Sequence, residues 1–62
     1  MITRFNEFRI IARTARKFDH EVIRCSLMKD GEFDVIDTID IAADKGFEVA
    51  TSNAARFWCV GY

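Results

Sequence analysis

The sequence predicts a small α+β domain in which one or two helices pack on a short three- to four-stranded sheet. The chain has 62 residues, which is enough for one compact domain, and it contains no linker or internal repeat, so residues 1–62 are predicted to form that domain. Apolar residues recur at helical spacing within residues 33–45. Residues 21–28 instead alternate apolar and polar side chains, which is typical of a strand.

The N-terminal segment, residues 5–18, is predicted to form a first helix of about four turns, with Thr3 as its N-cap. Its apolar side chains recur at spacings of three and four residues: Phe5, Phe8, Ile11, Ala12, Ala15 and Phe18. A pair of strands is the alternative, but its hairpin turn at residues 16–19 would contain no Gly, Pro or Asn. We therefore favour the helix.

Residues 33–45 are predicted to form the central helix, which would end at Gly46 because a left-handed residue commonly terminates a helix. The stripe predicted to face the core consists of Phe33, Ile36, Ile39 and Ala43.

A hairpin is the alternative for this segment, because Asp30-Gly31 favours a tight turn and many β-branched residues follow it. The hairpin would place Arg24 opposite Asp37, and Met28 opposite Phe33. We prefer the helix because Asp37 would fall on an otherwise apolar row of the strand.

The rest of the chain is predicted to be β-structure. Residues 47–51 alternate apolar and other side chains and predict a strand, residues 52–55 a turn, and residues 56–62 a final strand rich in aromatic residues.

Composition predicts an association between copies of the chain. Half of the residues are hydrophobic, which is more apolar surface than a 62-residue body can bury, so we expect a homodimer whose seam is the strand 56–62. Basic residues dominate positions 1–29 and acidic residues dominate positions 30–62, although the net charge is only −1. This division favours attraction between the two halves or a basic surface for an anionic partner.

Few residues could carry chemistry. His20 is the single histidine, and Cys25 and Cys59 are expected to be buried thiols in strands. A solvated acidic face of the central helix is expected from Asp34, Asp37, Asp40 and Asp44. Because no catalytic grouping and no paired metal-ligand spacing is present, we expect no enzyme, no cofactor and no metal site.

These features favour a cytoplasmic protein-interaction or regulatory module, of the kind with which a phage or other mobile element modulates or inhibits a larger host protein. No stretch of the sequence predicts a membrane span. The candidate protein-contact residues are Phe57, Trp58 and Tyr62. The alternative is a small nucleic-acid-binding protein that uses the basic face of the N-terminal segment, formed by Arg9, Arg13, Arg16 and Lys17.

Overall fold

A computed structural model describes residues 2–61, in which a four-stranded antiparallel meander is followed by a C-terminal helix. The strands lie in the order β1-β2-β3-β4. The bounds of the elements are β1 Ile2–Phe5, β2 Phe8–Lys17, β3 His20–Lys29, β4 Val35–Ala42, a 3₁₀ turn Ala43–Lys45, and α1 Gly46–Cys59. The predicted architecture of one or two helices on three to four strands is therefore confirmed, and the predicted strand 21–28 is β3.

The core lies between α1 and one face of the sheet. Residues directly opposite one another in antiparallel strands point to the same face. On the face that α1 covers, most of these pairs join two apolar residues, for example Ile10 with Leu27 and Cys25 with Ile39. The strands contribute the buried residues Ile10, Ala12, Ile23, Cys25 and Leu27, and the helix contributes Ala50, Ala54 and Trp58. Trp58 is the largest of these fully buried side chains.

Residues 46–59 are helical, so the predicted strand 47–51, the turn 52–55 and the described part of the strand 56–62 are wrong. Alternation over five residues is a weak signal, and a 3.6-residue period runs through the whole of α1. Its inward positions are Phe47, Ala50, Thr51, Ala54 and Trp58. The hydroxyl of Thr51 donates to the carbonyl oxygen of Phe47 at 2.8 Å, so its buried polar group is satisfied within the helix.

The predicted central helix at 33–45 is also wrong, because β4 occupies most of this segment. Asp37, whose charge made a strand unfavourable in the sequence, has hydrogen-bond partners in the structure. The indole N–H of Trp58 donates to Oδ2 of Asp37 at 3.0 Å, and the backbone N–H of Thr38 donates to Oδ1 at 2.8 Å. Both carboxylate oxygens of Asp37 therefore accept a hydrogen bond, which allows this residue to occupy the inward row.

The register of this hairpin differs from the hairpin alternative as well. Arg24 lies opposite Asp40, not opposite Asp37, and a bulge between Leu27 and Met28 shifts the pairing near the turn.

The predicted N-terminal helix at 5–18 is replaced by two strands, and β2 continues into β3 through a two-residue turn. Phe18 and Asp19 form this turn with φ angles of 50° and 66°, and Lys17 pairs with His20 across it. Such a turn requires positive φ at both central residues, which normally selects Asn and Gly. The long pairing of β2 with β3 outweighs the cost of this unfavourable turn sequence.

Candidate interaction surface on the open side of the sheet

The helix covers one face of the sheet and leaves the other face without a second layer in the described part of the chain. We call this other face the open face. Its strand positions are Ile2, Arg4, Arg9, Ile11, Arg13, Ala15, Lys17, His20, Val22, Arg24, Ser26, Met28, Val35, Thr38, Asp40 and Ala42.

Positive charge is concentrated on the open face although the chain as a whole is slightly negative. Its strand positions hold one carboxylate, Asp40, and five cations: Arg4, Arg9, Arg13, Lys17 and Arg24. Two of the cross-strand pairs join like charges, since Arg4 lies opposite Arg9 and Arg13 lies opposite Arg24. Directly opposed like charges destabilise a sheet, and Asp30, beside Arg4 and Arg9, and Asp40, beside Arg24, offset part of this repulsion.

Asp40 neutralises part of the charge at one end of the face. Nε and Nη2 of Arg24 donate to its two carboxylate oxygens at 2.8 Å and 3.2 Å, and Nζ of Lys17 lies 3.6 Å away. The hydrogen bond from Arg24 lowers the pKa of Asp40, and the same contact raises the pKa of Arg24. The pair therefore stays ionised, and Arg24 is held in one orientation.

Arg9 is committed to a structural contact at the other end. Its side chain is 12% exposed, and Nη2 donates to the backbone carbonyl of Glu32 while the guanidinium lies 5.5 Å from the ring centre of Phe33. Nη1 is also 3.8 Å from the carboxylate of Asp30. Arg9 thus fastens the loop between β3 and β4 to the open face and is not free to bind a partner.

Three cations remain accessible. Arg13 is exposed, and its side chain makes no hydrogen bond or ion pair with the rest of residues 2–61. The side chain of Arg4 is 70% exposed and lies 3.6 Å from Asp30, and that of Lys17 is 48% exposed.

Val22 and Met28 are buried although no second layer covers the open face. The aliphatic stems of long neighbouring side chains can cover apolar surface in this way.

The four basic residues predicted to bind nucleic acid do not share a face. Arg9, Arg13 and Lys17 lie on the open face, but Arg16 points to the opposite side, where it pairs with Glu21. Residues three positions apart, such as Arg13 and Arg16, lie on the same side of a helix but on opposite sides of a strand. The predicted basic surface of an N-terminal helix therefore does not exist.

The predicted protein-contact residues are separated by burial. Phe57 is 61% exposed on α1, whereas Trp58 is 1% exposed and lies in the core. Tyr62 lies outside the described residues.

Two exposed aromatic residues were missed by the sequence reasoning. Phe18, 84% exposed, lies in the turn at one end of the sheet, and Phe33, 88% exposed, lies in the loop at the other end. Each has a cation beside its ring, Lys17 at 6.0 Å for Phe18 and Arg9 for Phe33. The sequence signal for both residues is an aromatic side chain flanked by charged residues, which is typical of an exposed position in a segment between two strands.

The residues considered for chemistry are dispersed. His20 and Cys25 are both on β3, five residues apart, and therefore point to opposite faces. Cys25 is buried as expected, and desolvation raises the pKa of its thiol. The expectation that Cys59 is also buried is wrong, because this thiol is exposed at the end of α1.

The acidic residues do not form one helical face either. Asp37 points toward the core and Asp40 toward the open face. Within residues 2–61, no three potential ligands among His, Cys, Asp and Glu are grouped closely enough to hold a metal ion.

No protein-family model, no curated protein and no solved structure matched this chain. Among the helices of residues 2–61, none is long and apolar enough to cross a membrane.

Proposed function

We propose that this protein is a non-enzymatic interaction module that binds a larger protein through the open face. The observation that carries the proposal is the accessible positive charge of this face, where the side chains of Arg4, Arg13 and Lys17 are exposed. A partner with negative charge would be attracted to these accessible cations. The two exposed aromatic side chains at the ends of the face, Phe18 and Phe33, are suitable anchors for a protein interface.

The composition of the face supports a protein partner more than a nucleic acid. No aromatic residue occupies a strand position of the open face, whereas Phe5 and Phe8 point to the helix-covered side, where their ring centres are 5.8 Å apart. A sheet that binds single-stranded nucleic acid usually offers aromatic rings on which bases stack. Arginine and exposed aromatic side chains, such as Arg13, Phe18 and Phe33 here, are instead enriched at protein interfaces.

The proposed partner on this face is a different protein and not a second copy. Two open faces would bring like charges together. The sheet edges are also protected against pairing, because β1 has only four residues and β4 carries a bulge and the inward-pointing Asp37. The homodimer, which stays a separate proposal, would need another surface.

A regulatory role follows as part of the proposal. A small module that covers a site on a larger protein needs no chemistry of its own to modulate or inhibit it, which is how a product of a phage or other mobile element would act on a host protein. We propose the cytoplasm as its location, which the two free cysteines support.

The experiment compares two variants that differ only in the face they change. Immobilised wild-type protein, Arg13→Gln and Arg16→Gln are each incubated with nuclease-treated lysate, and the retained proteins are identified by mass spectrometry. Both substitutions remove one positive charge from β2, but only Arg13 lies on the open face. We expect one protein to be retained by wild type and Arg16→Gln, and to be depleted with Arg13→Gln.

Two outcomes contradict the proposal. Equal retention by both variants would remove the open face as the binding surface. If wild type retains specific proteins from untreated lysate but none from nuclease-treated lysate, the alternative, a nucleic-acid-binding protein, is favoured. The accessible cations of the open face, Arg4, Arg13 and Lys17, would then provide the phosphate contacts.

A further inference from the structure

We infer that the partner presents an extended acidic segment, in which carboxylates and small apolar side chains alternate along the side that faces the sheet. This inference deepens the proposed function and rests on it, since it assumes that the open face is the binding surface. It follows from the order in which charged and apolar rows succeed one another along β2.

The open face is built of alternating rows that cross the strands. The rows that carry charge pass through Arg9 with its neighbour Arg4, through Arg13 with its neighbour Arg24, and through Lys17, which lies opposite His20. Arg9 is held by the loop between β3 and β4, so Arg4 is the accessible cation of the first row. Between the charged rows lie two rows of apolar or small residues, which join Ile2 with Ile11 and Ala15 with Val22. Because residues on one face of a strand recur every second position, neighbouring rows are about 6.8 Å apart.

An extended segment has the same repeat as these rows. Its side chains on one side also recur at about 6.8 Å, so alternating carboxylate and apolar groups stay in register with charged and apolar rows along the whole of β2. One side of an α-helix recurs at about 5.4 Å per turn, so a helix laid along β2 would lose register by about 5 to 6 Å over four rows.

The positive charge of the open face favours a partner segment with acidic side chains. The five strand cations and the two carboxylates ion-paired with them, Asp30 and Asp40, leave an excess of three positive charges on the open face. Arg13 carries one of these charges in the central charged row, where it is exposed. A nucleic-acid backbone carries a charge at every nucleotide and would place phosphates over the apolar rows as well.

The inference is tested with three probes and the full-length protein, followed by NMR titration. The first probe is a synthetic peptide that repeats Glu-Ser-Val-Ser. The second has the same composition with its glutamates placed consecutively, and the third is a single-stranded DNA oligonucleotide. We expect the alternating peptide to bind at least about fivefold more tightly than the second peptide, with signal changes on the open face, because only its carboxylates match the charged rows.

The variants locate the contact. Arg13→Gln should weaken binding of the alternating peptide by about two- to fivefold, the range expected for one exposed ion pair, and Arg16→Gln should leave it unchanged. Arg13→Gln also relieves the repulsion with Arg24, so unfolding of the variant is not expected to obscure the result.

Equal affinity for the two peptides, tighter binding of the oligonucleotide, or signal changes confined to the edge of β4 would each overturn the inference. The capture experiment then separates the two proposals. If the alternating peptide fails but a protein is still retained in a manner that depends on Arg13, the proposed function stands and only the extended acidic segment is rejected. If retention does not depend on Arg13, both are rejected.

Discussion

Trp58 connects the helix to the sheet through one polar contact as well as through packing. Its side chain is 1% exposed, and its indole N–H donates to Oδ2 of Asp37 at 3.0 Å. Trp58→Phe should keep most of the packing but leave an inward-facing carboxylate short of one partner, at a cost of about 1 to 3 kcal/mol in the free energy of unfolding. Trp58→Ala should cost about 3 to 5 kcal/mol, which is comparable to the whole free energy of unfolding of a domain of this size. Urea denaturation followed by circular dichroism measures both values.

The double variant Trp58→Phe with Asp37→Asn separates the hydrogen bond from the packing. If the contact supplies most of the cost, the second substitution should add little to the first, because the charge that lacked a partner is gone. Full additivity of the two effects would contradict this account.

Asp40 makes the free energy of unfolding depend on pH. Its pKa is lowered in the folded protein, chiefly by the hydrogen bond from Arg24, so it binds protons less readily than in the unfolded chain. The stabilisation is therefore fully present above the ordinary aspartate pKa of about 3.9 and is lost as the pH falls toward the lower value of the folded state.

We expect the free energy of unfolding of wild type to decrease below about pH 4, and to decrease less steeply in Asp40→Asn. Parallel denaturation curves for the two proteins between neutral pH and pH 3 provide the measurement. An identical acid dependence in both would show that other carboxylates are responsible.

At the scale of elements, the local pattern identified β3 but not β2, β4 or α1. The alternation in β3 and the Asp30-Gly31 turn were both recognisable, and Gly31 has the positive φ of 86° that such a turn uses. In β4 the helical and strand periods fit the same apolar residues, and the deciding contact comes from Trp58, which lies 21 positions after Asp37. The open face could not be assembled from the sequence, because it depends on the strand period of β2.

The β2–β3 turn makes a prediction at the same scale. Phe18 is 84% exposed, so nothing is lost from the core when it is replaced, and its positive φ is costly for a bulky residue. Replacing Phe18-Asp19 by Asn-Gly should raise the free energy of unfolding by about 1 to 2 kcal/mol. Thermal denaturation tests this, with Phe18→Ala as the control that removes the ring but keeps an unfavourable turn residue. A lower melting temperature in the Asn-Gly variant would mean that the ring of Phe18 stabilises the fold.

At the scale of the whole molecule, the predicted homodimer needs a surface other than the one first expected. Residues 56–59 of the predicted seam belong to α1 and not to a strand, and two copies of the open face would bring like charges together. Phe57 is 61% exposed and Val60 is 92% exposed near the C-terminal end of α1, which makes this end the best remaining apolar contact.

A dimer joined at this end would leave the open face free for a partner. Light scattering of the protein at about 100 μM, well above the micromolar range of specific interfaces, should then give twice the chain mass of 7.2 kDa. Phe57→Ser together with Val60→Ser should reduce it to one chain mass, because both side chains are exposed and their loss removes contact area without opening the core. Arg13→Gln should leave the mass unchanged, since the contact would not involve the open face. Wild type at one chain mass would reject the dimer, and a dimer that persists in the Phe57 and Val60 variant would reject this end of α1 as its seam.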